Sequence, residues 1–129
     1  MFEHAENSKK QGDVGLGSAI AYFTTNGYTV CIPLTDSQDY DLVVEKDDGL
    51  KKVQVKTTSQ LKPSGGYEVG LRVLGGNQSW NGVAKKFDNS KVDLVFVLTN
   101  KNERYLIPAK DIEAQNSIVL GDKWSAYRV

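Results

Sequence analysis

Residues 41–58 read DLVVEKDDGLKKVQVKTT. Two short segments rich in valine flank a pair of small turn-forming residues, Asp48-Gly49. A two-residue type I′ turn needs positive φ at both central positions, and Asp-Gly meets that need well. The expected pairing sets residue 47 opposite residue 50, which brings Asp41 opposite Lys56 and Val43 opposite Gln54. Side chains alternate across a strand pair, so Asp41, Gln54 and Lys56 share one face. Leu42, Val44, Val53 and Val55 form the other, an apolar surface suited to a core. A slip of one residue would separate Asp41 from Gln54 and Lys56.

The three polar groups suit phosphodiester hydrolysis. Asp41 offers a hard anionic oxygen to Mg²⁺ or Mn²⁺. Gln54 offers a neutral amide oxygen, and the Val55 backbone carbonyl is the expected further ligand. Such a cation polarises a phosphate and acidifies a bound water. Lys56 would position that water or stabilise the charge of the pentacoordinate state. A plain cross-strand Asp–Lys surface pair, worth under about 1 kcal/mol, gives the same spacing. Spacing alone leaves both readings open.

Outward from the hairpin, Leu16, Ala19, Ile20 and Phe23 recur at helical spacing and predict an amphipathic helix over 12–26. Asn26-Gly27 supplies its stop. Gly12, Gly15 and Gly17 weaken its first turns or allow close approach to another backbone. Strands are expected over 28–33, 40–46, 51–58, 67–74, 92–98 and 104–108, with short helices over 79–88 and near 109–115. The run VDLVFVL at 92–98 has the pattern of a strand covered on both faces. The order is that of an α/β sandwich around a mixed sheet. In the glycine-rich segment 75–82, Ser79 is the expected cap of the following helix, and Trp80 packs on the sheet or serves a DNA-facing loop.

At 129 residues, 40% hydrophobic and 25% charged, the chain is sized for a single domain, 1–129, with its own core. No apolar run is long enough to span a bilayer, so no membrane association is expected. The default location is the cytoplasm. Cys31 has no partner for a disulfide or metal motif and is expected as a small buried hydrophobe. His4 lies in a polar stretch, and residues 1–8 are expected to form a flexible or oligomerisation arm. The formal net charge is zero, but its distribution is uneven. Asp36, Asp39, Asp41, Glu45, Asp47 and Asp48 face only Lys46 in residues 36–50, whereas 51–91 is strongly basic. Acids able to hold a cation lie beside bases able to meet phosphates.

Asp41, twelve residues, then Gln54-Val55-Lys56, all after an N-terminal helix, resembles the PD-(D/E)XK nuclease superfamily. KKQGDVG, NGYTVCIPL, YDLVV, VQVKTT, VDLVFVL and RYLIPAKDI extend the likeness over about residues 9–112. Together they are most similar to the group I intron-associated (homing) endonucleases of bacteria and phages, whose lysine motif is often QxK. Archaeal-type Holliday junction resolvases are next. The resemblance implies a restriction-endonuclease-like core, a mixed β-sheet flanked by helices in the order αβββαβ. It also implies a divalent metal and cleavage of double-stranded or branched DNA by a homodimer or homotetramer. Candidate DNA contacts are Lys9, Lys10, Thr57, Thr58, Lys62, Lys85 and Lys86, all equally compatible with a solvated surface. The family often carries a glutamate on the first helix, where this chain has Leu16. Asp13, one turn earlier, either reaches the metal or charges the helix start. That departure keeps open a third reading, an inactive module that only binds DNA or a protein.

Overall fold

The structure is a computed structural model that describes residues 1–73 and 84–129. Its centre is strand β3 (Gly49–Thr58), which pairs antiparallel with β2 (Leu42–Lys46) and parallel with β6 (Leu94–Thr99). Strand β1 (Thr29–Cys31) and strand β7 (Arg104–Pro108) complete a five-stranded mixed sheet in the order β1-β2-β3-β6-β7. A smaller antiparallel sheet contains β4 (Gln60–Leu61), β5 (Tyr67–Gly70) and β8 (Ser117–Val119).

Each face of the large sheet has its own core, because the strands alternate apolar residues to both sides. On one face Leu42, Val44, Val53, Phe96 and Leu98 meet Ala19 and Phe23 of helix α1 (Ser8–Thr25). On the other, Val95, Val97, Tyr105 and Ile107 meet Tyr67, Val69, Ile118 and Trp124 of the small sheet and C-terminal segment. Strand β6 is therefore covered on both faces, as its unbroken apolar run predicts. Among the described residues the second layer is a sheet, where a helix was expected. Residues 84–88 are not helical, and Lys85 is bridged to Val73; the rest of the expected helix over 79–88, with Ser79 and Trp80, lies outside the described residues. The expected helix near 109–115 shrinks to a 3₁₀ turn, Ala109–Asp111. Among the described residues no helix is long and apolar enough to cross a membrane.

The hairpin register differs from the type I′ expectation. Lys46 pairs with Gly49 and Leu42 with Val53, so the loop is Asp47-Asp48 and Asp41 stands level with Gln54. Only Gly49 takes a positive φ there, 98°. That is the arrangement of a turn followed by a left-handed glycine bulge, and it spares Asp48 the strained region. The shift is two residues along β3, a full side-chain period, so every residue keeps its predicted face.

Three local expectations are corrected. Helix α1 begins four residues early, because the Asn7 side chain accepts from Lys10 N–H at 2.9 Å and caps it. Cys31 is exposed, since β1 is a three-residue edge strand on which only Val30 faces the core. The N-terminal segment is not a free arm throughout: Phe2 is buried in the helix-side core, and its N–H donates to Asn100 Oδ1 at 3.1 Å.

Gly15 explains the tight seat of α1. A Cβ there would collide with Thr57 Cγ2 and press within 3.3 Å of Val55 Cγ1, whereas nothing lies within 4 Å of a Cβ at Gly17. Gly17→Ala should stabilise the helix by about 0.5–1 kcal/mol. Gly15→Ala should instead cost about 1–3 kcal/mol through overpacking against β3. Urea unfolding of both variants checks the opposite signs.

Candidate functional site

The last residue before β2 holds the site together. Asp41 N–H donates to the Val53 carbonyl at 2.8 Å, and Asp41 Oδ2 accepts the Val55 N–H at 2.7 Å. The carboxylate thus continues the β2–β3 ladder beyond the end of β2. One oxygen is committed to the strand, and the remaining acceptor capacity points to the clefts on either side. One cleft, of about 350 Å³, is lined by Asp36, Asp39, Asp41, Gln54, Val55 and Lys56 among others. The second, of about 530 Å³, lies toward α1 and is lined by Lys9, Gly12, Asp13, Leu16, Asp36, Asp41 and Val55.

Gln54 is 5% exposed, and its Oε1 has no hydrogen-bond partner among the described residues. A buried acceptor left unsatisfied costs about 1–3 kcal/mol, so natural sequences seldom keep one without cause. A hard cation beside Asp41 would satisfy that oxygen, and an amide and a carboxylate oxygen are the donors such an ion takes. The residues present fit a divalent metal. Among the described residues no group of three or more histidines, cysteines or carboxylates gathers at metal-ligand spacing, so Gln54 carries more of the fit than in an all-acidic site.

Asp41 and Lys56 perturb each other within this wall. Burial raises the Asp41 carboxyl above its ordinary range, opposed by the Val55 N–H and the Lys56 charge. The residue itself still reaches solvent. Burial likewise lowers the Lys56 ammonium, opposed by Asp41. Lys56 Nζ also donates to the Arg72 carbonyl at 2.9 Å. That segment is fixed by Asn116, whose Oδ1 accepts Arg72 Nε–H at 3.0 Å and whose carbonyl accepts Leu71 N–H at 2.8 Å.

Asp41, Gln54, Val55 and Lys56 therefore lie in one cleft, whereas Asp13 borders only the second. Leu16 is half-buried against the helix-side core and offers that cleft no charge. Lys9 lines the second cleft, and Lys10 is exposed on the same first turns of α1. Thr57 points away from Gln54 and Lys56 toward α1, where its Oγ1 accepts from Gln11 Nε2 at 3.0 Å. Thr58 is corrected as a surface contact: it is 3% exposed, and its hydroxyl donates to the Glu68 carbonyl, tying the two sheets together. Lys62 pairs with Glu68 at 3.5 Å, and Lys85 with Asp39 at 3.7 Å across the rim of the first cleft. Lys86 is exposed and borders a different depression, with Phe87 and Glu113. Asp36 was legible only as one member of the acidic cluster, because the irregular loop before Tyr40 has no periodicity to place it. The Arg72 carbonyl and Asn116 carry no sequence signal.

The sequence matches the PD-(D/E)XK endonuclease family over residues 6–123. The chain belongs to this family. Protein 5.3 of Escherichia phage T7 is 28% identical over 105 residues, which cover 81% of this chain and 83% of that one. Among solved structures, a bacterial homing endonuclease, I-Ssp6803I, aligns with a TM-score of 0.70 at 27% identity, covering 95% of this chain and 87% of that one. The mixed sheet with its N-terminal helix is therefore a homing-endonuclease-like fold, and the chain is a PD-(D/E)XK nuclease.

Burial sets a stability test. A carboxyl raised above its unfolded value favours the folded state while protonated, and that advantage is lost as pH rises through the raised value. The ionised Asp41 therefore weighs against folding at neutral pH. Asp41→Asn keeps an acceptor for Val55 N–H and should raise the urea midpoint at pH 7–8. The gain should vanish below the ordinary carboxyl range, where both side chains are neutral. Unfolding curves at several pH values check this.

Proposed function

We propose that this nuclease is a metal-dependent endodeoxyribonuclease of the homing type, acting at the cleft of Asp41, Gln54 and Lys56. The partnerless, buried Gln54 Oε1, in a cleft that Asp41 and Lys56 also line, carries the reading. Asp41, Gln54 Oε1 and the Val55 carbonyl would hold Mg²⁺ or Mn²⁺. When bound, that ion would supply Lewis-acid polarisation of the phosphate and a more acidic water.

The chain's own groups do the rest. The Val55 N–H holds Asp41 in one orientation, so no rotamer search accompanies substrate arrival. Lys56 brings positive charge to where the phosphorane develops its extra negative charge, in surroundings that strengthen the interaction. The Arg72 carbonyl holds that amine at the cleft. Lys9, Lys10 and Lys85 would supply positive charge to a DNA backbone. One such cleft per chain cuts one strand, so cleavage of both strands calls for a homodimer or homotetramer.

Lys56→Ala should lower plasmid cleavage in Mg²⁺ by about 10²–10³-fold, the usual loss when a group stabilising transition-state charge is removed. Cleavage at the wild-type rate would refute the role of Lys56. Linear duplexes and four-way junctions offered side by side should show sequence-dependent cutting of the duplex. Structure-dependent nicking near the junction would make the enzyme a resolvase. No cleavage of any DNA form in Mg²⁺ or Mn²⁺ would leave the inactive module.

With a neutral Gln54 and an apolar Leu16, Mg²⁺ should bind weakly to the free protein and more tightly once a DNA phosphate joins its shell. Calorimetric titration with and without duplex checks this; tight binding without DNA would contradict it.

A further inference from the structure

The metal reading leaves the cation short of negative charge, since Leu16 stands where the family often places a carboxylate. Two aspartates could make up the shortfall. Asp13 borders only the cleft next to α1. Asp36 borders both clefts, and among the described residues only Asp36, Asp41 and Val55 do so. It is thus the carboxylate that shares walls with Asp41 on one side and with Gln54 and Lys56 on the other. Asp39 lies in the same loop, but Lys85 engages it at 3.7 Å. Asp36 makes no ion pair among the described residues. Its loop is folded back on itself: Gln38 Nε2 donates to the Thr35 carbonyl at 2.6 Å, and Thr35 Oγ1 donates to Gln38 Oε1 at 3.3 Å.

A cluster of acids alone would say little, because solvated aspartates are common on loops. Here the same cleft contains Gln54, which is 5% exposed and whose Oε1 lacks a partner. A buried, unsatisfied oxygen in a cleft that carboxylates also line is the arrangement a hard cation resolves. We propose that Asp36, from the loop between β1 and β2, is the second carboxylate of the cation site and takes the place of the absent helix carboxylate. The inference rests on the metal reading above. Asp41 would hold the ion from the strand end and Asp36 from the loop that lines the same two clefts. Two carboxylates and one amide oxygen leave room for water and a DNA phosphate around a Mg²⁺-like ion.

Mn²⁺ binding to the full-length protein, followed by the electron paramagnetic resonance of the free ion, tests this without reference to cleavage. Asp36→Asn should weaken Mn²⁺ at least tenfold. Asp13→Asn, on the other candidate, and Asp39→Asn, which removes the same charge from the same loop, should each change it less than threefold. A loss in Asp36→Asn no larger than in either control overturns the proposal, since it then reflects only the general field or points to Asp13. Asp41→Asn separates this from the parent reading. If Asp41→Asn weakens Mn²⁺ while Asp36→Asn does not, only the role of Asp36 fails. If neither does, the metal site itself fails.

Discussion

Everything at the cleft depends on β3 being held along both edges and on both faces at once. Its edges pair with β2 and β6, one face packs under α1, and the other meets the small sheet. A strand so constrained cannot slip by one residue without burying Gln54 and Lys56 in the helix-side core and expelling Val53 and Val55. The energy that fixes the polar constellation is therefore not in the polar groups. It comes from aliphatic side chains pointing the other way, each worth about 1.5–3 kcal/mol when fully buried. The site is a by-product of packing, which is why a lysine that loses hydration and an unsatisfied amide can be tolerated there.

The same parity explains why the hairpin was legible although its turn was not. Alternation of Leu42, Val44, Val53 and Val55 states which residues share a face, and faces survive any shift of two. Turn type depends on finer balances: Asp48 avoids a positive φ that Gly49 accepts freely. The apolar run of β6 and the Asn26-Gly27 stop of α1 were likewise readable, since both rest on local pattern. The β5–β8 pairing joins segments nearly fifty residues apart, and no local signal specifies it. Strands of two or three residues, such as β4 and β8, are too short to show a period.

The groups that strands bring to the cleft were legible in the sequence, and those that loops bring were not. Asp41, Gln54 and Lys56 follow from strand geometry. Asp36 and the Arg72 carbonyl depend on how irregular chain returns to the cleft, which is a tertiary fact. Thr58 shows the converse error. A hydroxyl after the lysine motif suggests a phosphate contact, but the strand continues under the small sheet and buries it. Cys31 erred the other way: its apolar neighbours suggested burial, yet the strand lies at an edge and Ile32 beyond it is 58% exposed.

The bond from Lys56 Nζ to the Arg72 carbonyl has a consequence for how the molecule senses itself. The amine is rooted in the large sheet, and its acceptor belongs to chain leading from the small one. An ammonium has three protons, and this bond uses one, so the aim of the other two is set by the spacing of the two layers. A shear between the sheets would change where that charge points. The lysine is in this sense a gauge of layer alignment, and its reach into the cleft is correct only when both halves of the sandwich are in place.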